Sequence, residues 1–410
     1  MGWPADAIFW HVYPLRFVDG EYEAIDHVEH RLGRLTNWFD YLLELGANGL
    51  LLAPLFSSET HGYDTLDHYR VDPRLGDDAD LDDLLWKAHE RGIKVVFDGV
   101  FNHVARGHEI VRKALDAGPG TPDGDWIKWS GNDPYCFEGS LNLVELNLAN
   151  PAVADYVAGV MTHWLSRGID GWRLDAAYSP GADAWRPIIA RVRDRFPDAW
   201  IVGEVIQGDY VDFVERSGVD TVTQYELWKA IWSSLNDPNM FELEWSLKRH
   251  QEFCAHFLPQ TFIGNHDVTR IATQLTDVRN LPLAVALLMF LPGTPSIYAG
   301  DEQGFTGEKV HAPHGDDAVR PPFPVDPQGL LPYGADVLRM HQELIGLRRR
   351  HRWVATADAQ PTHVENGAIA IELTSGDNKV TVAVNATDGP LTLPGSAQEL
   401  HVDAHGWAIG

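Results

Sequence analysis

The sequence predicts an α/β chain folded as a (β/α)8 TIM barrel, with a loop-rich insertion leaving the third strand and a small C-terminal β domain. Three observations carry the prediction. Eight short apolar runs recur along the chain, amphipathic helical stretches separate them, and beyond about residue 350 the texture changes to alternating strands. With 410 residues, 44% of them hydrophobic, there is enough chain for a barrel of about 250 residues and two smaller units.

In order, the runs are 7–13, 49–53, 93–98, 171–175, 200–204, 219–223, 260–264 and 296–298. Between them, stretches such as RLTNWFDYLLELG (34–46) and DLDDLLWKAHERG (80–92) place apolar residues at helical spacing, which makes each run and its neighbour one βα unit. The spacing breaks once. Between 98 and 171 only 151–167 reads as helix, so 104–150, rich in Gly, Pro, Asp and Trp, forms an insertion at the exit of the third strand. The barrel is thus assigned to 1–103 and 151–350. Residues 351–410 form the last domain, where 367–374 and 379–385 alternate on either side of Ser-Gly-Asp-Asn, a hairpin signal.

The formal charge of −27, from 59 acidic and 32 basic residues, argues against nucleic acid and against an anionic membrane surface as partners. It reads as a solvated acidic surface, and neutral sugar-like partners remain open. Cys136 and Cys254 are too few for a disulfide scaffold, lie outside any C-x-x-C pattern, and are expected as buried thiols. The start MGWPADAIFWHVYPLRF lacks a basic leader region, and no apolar run is long enough to cross a bilayer, so a cytoplasmic location is expected. Oligomeric state stays open.

In such barrels, polar residues at the C-terminal ends of strands line one mouth. Four strand ends are loaded: DGVFNH (98–103), GWRLDAA (171–177), IVGE (201–204) and FIGNHD (262–267). One Asp at a strand end ordinarily caps a helix. Several carboxylates, an Arg and two His at one mouth are costly as mere structure, because partly desolvated like charges repel. Glycoside hydrolysis requires that arrangement: an ionised carboxylate on one face of the anomeric carbon and a protonated acid beside the leaving group. Period-two alternation puts Arg173 on the face of Asp175, where it would hold that carboxylate ionised. Glu204, in an apolar strand among acidic neighbours, would be the proton donor. His103 and His266 suit sugar hydroxyls, and Asp267 suits a hydroxyl pair. The metalloprotease and nucleotide patterns fail: His108-Glu109 has no His at 112, and no P-loop or G-x-G-x-x-G appears.

These four segments, in this order, resemble the α-amylase family, glycoside hydrolase family 13. HGYDTLDHYRVD (61–72), LVELN (143–147) and GTPSIYAGDE (293–302) extend the likeness over most of the chain. The resemblance implies Asp175 as nucleophile, Glu204 as acid/base and Asp267 as transition-state stabiliser. It also implies that Arg173 orients the nucleophile with Asp98 behind it, that Tyr63 stacks on the reacting sugar, and that His103 and His266 bind its hydroxyls.

The implied enzyme is a retaining α-glycosidase hydrolysing α-1,4 bonds of maltooligosaccharides or related α-glucans. The alternatives are an α-glucan transglycosylase using the same three residues and, remotely, a non-catalytic carbohydrate-binding scaffold. The departures concern specificity. Ala177-Tyr178-Ser179 and Ile206-Gln207 stand where relatives carry Lys-His or Trp-His, so leaving-group contacts do not carry over. Calcium-binding relatives pair an Asp with the Asn of the first segment, whereas here Asn147 would face Asn102, so no cofactor or metal is expected to be required and calcium is not favoured. The segments lean toward the maltogenic amylase, cyclodextrinase and neopullulanase group. That group has an extra N-terminal domain used for dimerisation, and here the first run already begins at residue 7.

Overall fold

A computed structural model of the chain describes residues 2–312 and 314–410. Eight parallel strands are β1 (Phe9–Val12), β2 (Gly49–Leu52), β3 (Lys94–Gly99), β4 (Gly171–Leu174), β5 (Trp200–Gly203), β6 (Thr221–Val222), β7 (Gln260–Phe262) and β8 (Thr294–Tyr298). They hydrogen-bond in the order β6-β5-β4-β3-β2-β1-β8-β7, and a parallel bridge between Thr223 and Gln260 closes the ring. The sixth run yields only a two-residue strand, because its exit is taken up at once by the helix Tyr225–Asn236.

Alternation along the strands sorts the barrel interior into layers. Phe9 lies flat on Trp200 (5.1 Å between centroids, 11° between planes), and with Leu51, Val96 and Val202 these rings fill the lower layer. A side chain at Gly171 would strike the Trp200 carbonyl at 2.2 Å, so glycine lets the β5 backbone come close to β4 there. Two residues further along the same faces come His11, Asp98, Arg173 and Glu204, all buried. An apolar floor beneath them removes water and strengthens every charge interaction above it.

Each helix buries its apolar stripe against the outer faces of the strands. In Asp78–Glu90, Leu81, Leu84, Leu85 and Ala88 face inward. Asp77 starts that helix by accepting hydrogen bonds from the amides of Ala79 and Asp80, while the Asp80 carboxylate accepts one from the Asp77 amide. The helix Leu281–Phe290 is apolar on all sides because it is covered by the barrel and by the C-terminal sheet. Among the described residues no helix is long and apolar enough to cross a membrane.

The insertion is anchored by a short antiparallel pair, His103–Ala105 with Leu143–Glu145. The C-terminal sheet runs Asp358–Val364, Ala368–Ser375, Asn378–Asn385 and Gly406–Ile409, with a separate pair Leu391–Leu393 and Leu400–Val402. Both cysteines are free; Cys136 is half-buried, against the expectation of a buried thiol, whereas the thiol of Cys254 is buried. Cys136 sits in an open loop of the insertion, and Cys254 ends the helix Met240–Cys254, where burial of its thiol pushes the pKa up to about 12.

Candidate active site

The exits of β2, β3, β4, β5 and β7 bring all eight sequence-singled residues to one mouth. Arg173 is the hub. Its Nη1 lies 2.6 Å from Asp98 Oδ2 and 3.2 Å from Asp175 Oδ1, and its Nη2 lies 2.7 Å from Glu204 Oε1. Glu204 also accepts from the Ala176 amide (2.9 Å) and from the Tyr225 hydroxyl (3.1 Å), which in turn accepts from Asn265 Nδ2 (2.9 Å). Ala176 has φ 44°, a left-handed conformation unusual outside glycine, and this local strain is part of the turn that carries its N–H to Glu204.

Tyr63 donates to Asp98 Oδ2 (3.0 Å) and stacks on the His266 ring at 5.3 Å and 4°. His266 Nε2 contacts the Tyr63 hydroxyl and lies 3.0 Å from Asp267 Oδ2. On the other oxygen, Arg320 Nη2 donates to Asp267 Oδ1 at 2.8 Å. His103 sits under Phe137, stacked at 4.4 Å and 12°, with its Nε2 3.8 Å from Asp175 Oδ2.

The charges differ from the sequence expectation at one point. Arg173 is closer to Asp98 and Glu204 than to Asp175, and Glu204 gathers three donors. Burial and the neighbouring Glu204 charge push the Asp175 carboxyl well above the usual range, against the pull of Arg173. Without ligand, ionisation of Asp175 is therefore disfavoured. Although burial opposes it, His266 and Arg320 hold the Asp267 carboxyl well below its ordinary value. Burial lowers His103 to about 3, which keeps it a neutral donor and acceptor.

The mouth opens into two lobes that share Tyr63, Glu138, Leu143 and Asp267. One, of about 400 Å³, is polar and lined by Arg16, Glu21, His61, Asp316 and Arg320. The other, of about 430 Å³, carries Phe137, Tyr178, Ile206, Trp228 and Lys309 beside the carboxylate pair. A larger cleft of about 840 Å³ lies near Trp3 and Trp200, at the opposite end of the strands from the carboxylates.

The calcium ligand set does not fit. Asn102 Oδ1 is buried without a partner, but Asn147 turns its amide nitrogen to the Asp125 carbonyl (3.0 Å). The buried carboxylate alongside, Glu145, already holds the Lys128 ammonium at 2.7 Å. A hard dication that prefers carboxylate oxygen would meet neutral amides and a resident cation. Among the described residues the one close group of acidic and His ligand atoms is His30, Asp77 and Asp80, and those carboxylates serve the helix cap described above.

Sequence reasoning missed Arg320, Tyr225, Asn265, Phe137 and His11. Arg320, Tyr225 and Phe137 come from loops or helix starts, where no periodicity says which way a side chain turns. His11 could have been found, since alternation from Phe9 puts it on the barrel's inner face.

Residues 11–356 match the Alpha amylase, catalytic domain family. A cyclomaltodextrinase of Geobacillus thermopakistaniensis is 27% identical over 99% of this chain and 72% of its own length. The intracellular maltogenic amylase of Bacillus subtilis is 26% identical over 75% of this chain and 57% of its own. Among solved structures, the ligand-free cyclic α-maltosyl-(1→6)-maltose hydrolase of Arthrobacter globiformis superimposes with a TM-score of 0.87 at 25% identity, covering 100% of this chain and 99% of that one. The barrel, the strand-end carboxylates and the matched segment together make this chain a member of the α-amylase family of glycoside hydrolases.

Proposed function

We propose that the protein hydrolyses α-1,4-glucosidic bonds of maltooligosaccharides or related α-glucans with net retention, through a covalent glycosyl-enzyme on Asp175. The carrying observation is the Asp175–Glu204 pair bridged by one guanidinium, with Asp267 held ionised beside it. As positive charge grows at the anomeric carbon, ionised Asp175 is favoured, which leaves Glu204 to carry the proton the leaving group needs. Glu204 gives that proton to the glycosidic oxygen while an Asp175 oxygen bonds to the anomeric carbon and the glycosidic bond breaks. In the second half Glu204 takes a proton from water, the water oxygen attacks the same carbon, and Asp175 leaves as carboxylate.

Asp267 fits a pair of sugar hydroxyls, His103 and His266 supply hydrogen-bond partners, and Tyr63 offers a ring face to the sugar. The named activities of the relatives support an α-glucan as substrate. The intracellular relative from Bacillus subtilis supports a cytoplasmic setting. No metal takes part in these steps.

Transfer to a sugar acceptor is a second reading, favoured by the aromatic second lobe beside Glu204, where an acceptor can stack. A panel of maltose, maltotriose, cyclodextrin, pullulan, trehalose and sucrose tests the substrate, with products resolved over time. Proton NMR of the first product tests stereochemistry. The α-anomer must appear first, and Glu204→Gln must lower kcat by about 10²- to 10⁴-fold. First release of the β-anomer, or full activity in Glu204→Gln, would overturn the assignment.

A further inference from the structure

His11 lies outside every catalytic motif, yet it reaches the site from below. It sits on the inner face of β1, 4% exposed, with its Nε2 3.2 Å from His266 Nδ1 and the two rings edge to face at 5.0 Å and 81°. The His266 ring is sandwiched between Tyr63 (5.3 Å, 4°) and Tyr13 (5.9 Å, 16°), so its plane is fixed from both sides. Arg320 Nε holds the His266 carbonyl at 2.9 Å. What packing leaves undecided is which ring nitrogen carries the proton.

The partners decide it. Tyr63 spends its one proton on Asp98 Oδ2, so toward His266 its oxygen can only accept. Asp267, held ionised by His266 and Arg320, is also an acceptor. His266 Nε2 faces both oxygens and must therefore bear a hydrogen. In the neutral ring Nδ1 is then a lone pair that needs a donor, and the atom in reach is His11 Nε2. Burial keeps His11 itself neutral, so it has one hydrogen to give.

We propose that His11 is a positioning residue whose Nε2–H donates to His266 Nδ1 and fixes His266 in the Nε2–H tautomer. That tautomer turns a donor toward Asp267 and the sugar. With the other, a lone pair would face the Asp267 carboxylate, and the hydroxyl-binding edge would be lost. The tautomer follows from hydrogen bonding alone, whereas its effect on turnover rests on the proposed hydrolysis.

Two measurements test it. In full-length protein labelled with ¹⁵N-histidine, with His266 assigned by comparison with His266→Gln, the His266 signal should show Nε2 protonated and Nδ1 bare. For turnover on maltotriose, His11→Gln keeps an amide donor near the place of Nε2, and His11→Leu removes it. Loss of a partner that fixes a functional His tautomer costs about 10- to 100-fold. His11→Leu should lower kcat by that factor with a smaller change in KM, and His11→Gln should stay within a few-fold of the wild type.

A protonated Nδ1 on His266 overturns the proposal, as does a folded His11→Leu protein with full kcat, or a His11→Gln protein that falls as far. Should His11→Leu fail to fold, the wild-type tautomer decides. If the wild type cleaves no glucan of the panel, the hydrolytic reading falls while the tautomer measurement still judges His11.

Discussion

Removing the Arg320 guanidinium should damage stability and turnover together, because one side chain holds three parts of the site. Nη2 bonds Asp267 Oδ1 (2.8 Å) and Asp316 Oδ2 (2.8 Å), Nε bonds the His266 carbonyl (2.9 Å), and the group packs over the Tyr13 ring at 4.6 Å. Breaking a buried pair by deleting one partner costs about 3–5 kcal/mol. Asp267 keeps 29% of its side chain exposed and retains His266, so about 1–3 kcal/mol is the expectation for Arg320→Met. The lysine variant should recover part of this, since one ammonium cannot serve both Asp267 and the His266 carbonyl.

The pH dependence has a definite sign. A carboxyl depressed in the folded state contributes stability above its unfolded pKa of about 3.9 and loses it as pH falls through the folded value. The gap between wild type and Arg320→Met should thus be full at pH 7 and close only below about pH 4. Urea unfolding across that range measures it, alongside kcat/KM on maltotriose, which should drop about 10²-fold for about 2.7 kcal/mol of lost transition-state binding. An Arg320→Met protein with wild-type unfolding midpoint and wild-type kcat/KM would refute the reasoning.

Acid should destabilise the fold through its buried histidines, an effect partly offset by Asp301 and Glu302, whose carboxyls burial pushes up to about 6 and about 7. Burial lowers His68, His250 and His341 to about 4 and His103 and His108 to about 3. The unfolded chain takes protons on these rings below about pH 6.5 and the folded one does not, so stability rises with pH between about 4 and 6.5. Each ring adds up to about 1.4 kcal/mol per pH unit, and equal urea midpoints at pH 7.5 and 5.5 would contradict this. A chelator should leave the melting temperature unchanged, since Lys128 already neutralises Glu145. Lys128→Met should lower it by about 1–3 kcal/mol of stability, and a melting point that falls with chelator and recovers with calcium would refute the metal-free reading.

How much was legible followed from what carries the signal. Strands buried on both faces show as apolar runs, so all eight were visible, and so were the charged residues that end them. The polarity of the pair was not. Arg173 and Asp175 share a strand face, but the guanidinium reaches across to Asp98 and Glu204 on β3 and β5, a lateral contact that registry decides and alternation along one strand cannot. Tyr225 and Arg320 were hidden for a related reason. Each enters the site from the segment beyond its strand, where the chain's direction depends on packing partners far away in sequence.

The charge count of the mouth explains why so many acidic groups are tolerated together. In the proposed reaction the Asp175–Glu204 pair starts with one proton, so together with Asp98 it brings two negative charges against the single positive charge of Arg173. Asp267 and Asp316 add two more, against Arg320 and Lys309, so that half of the mouth balances and the shortfall stays at Arg173. The site is therefore short of positive charge, a strain that a neutral sugar does not relieve and a cationic anomeric centre does. Preorganised negative charge of this kind stabilises the transition state more than the bound substrate, which is the condition for raising kcat rather than only lowering KM. Neutralising any one of these carboxylates removes part of that difference, so Asp98→Asn, at a position 1% exposed, should reduce kcat more than it raises KM. An unchanged kcat in a folded Asp98→Asn protein would show that charge surplus is not what the barrel floor supplies.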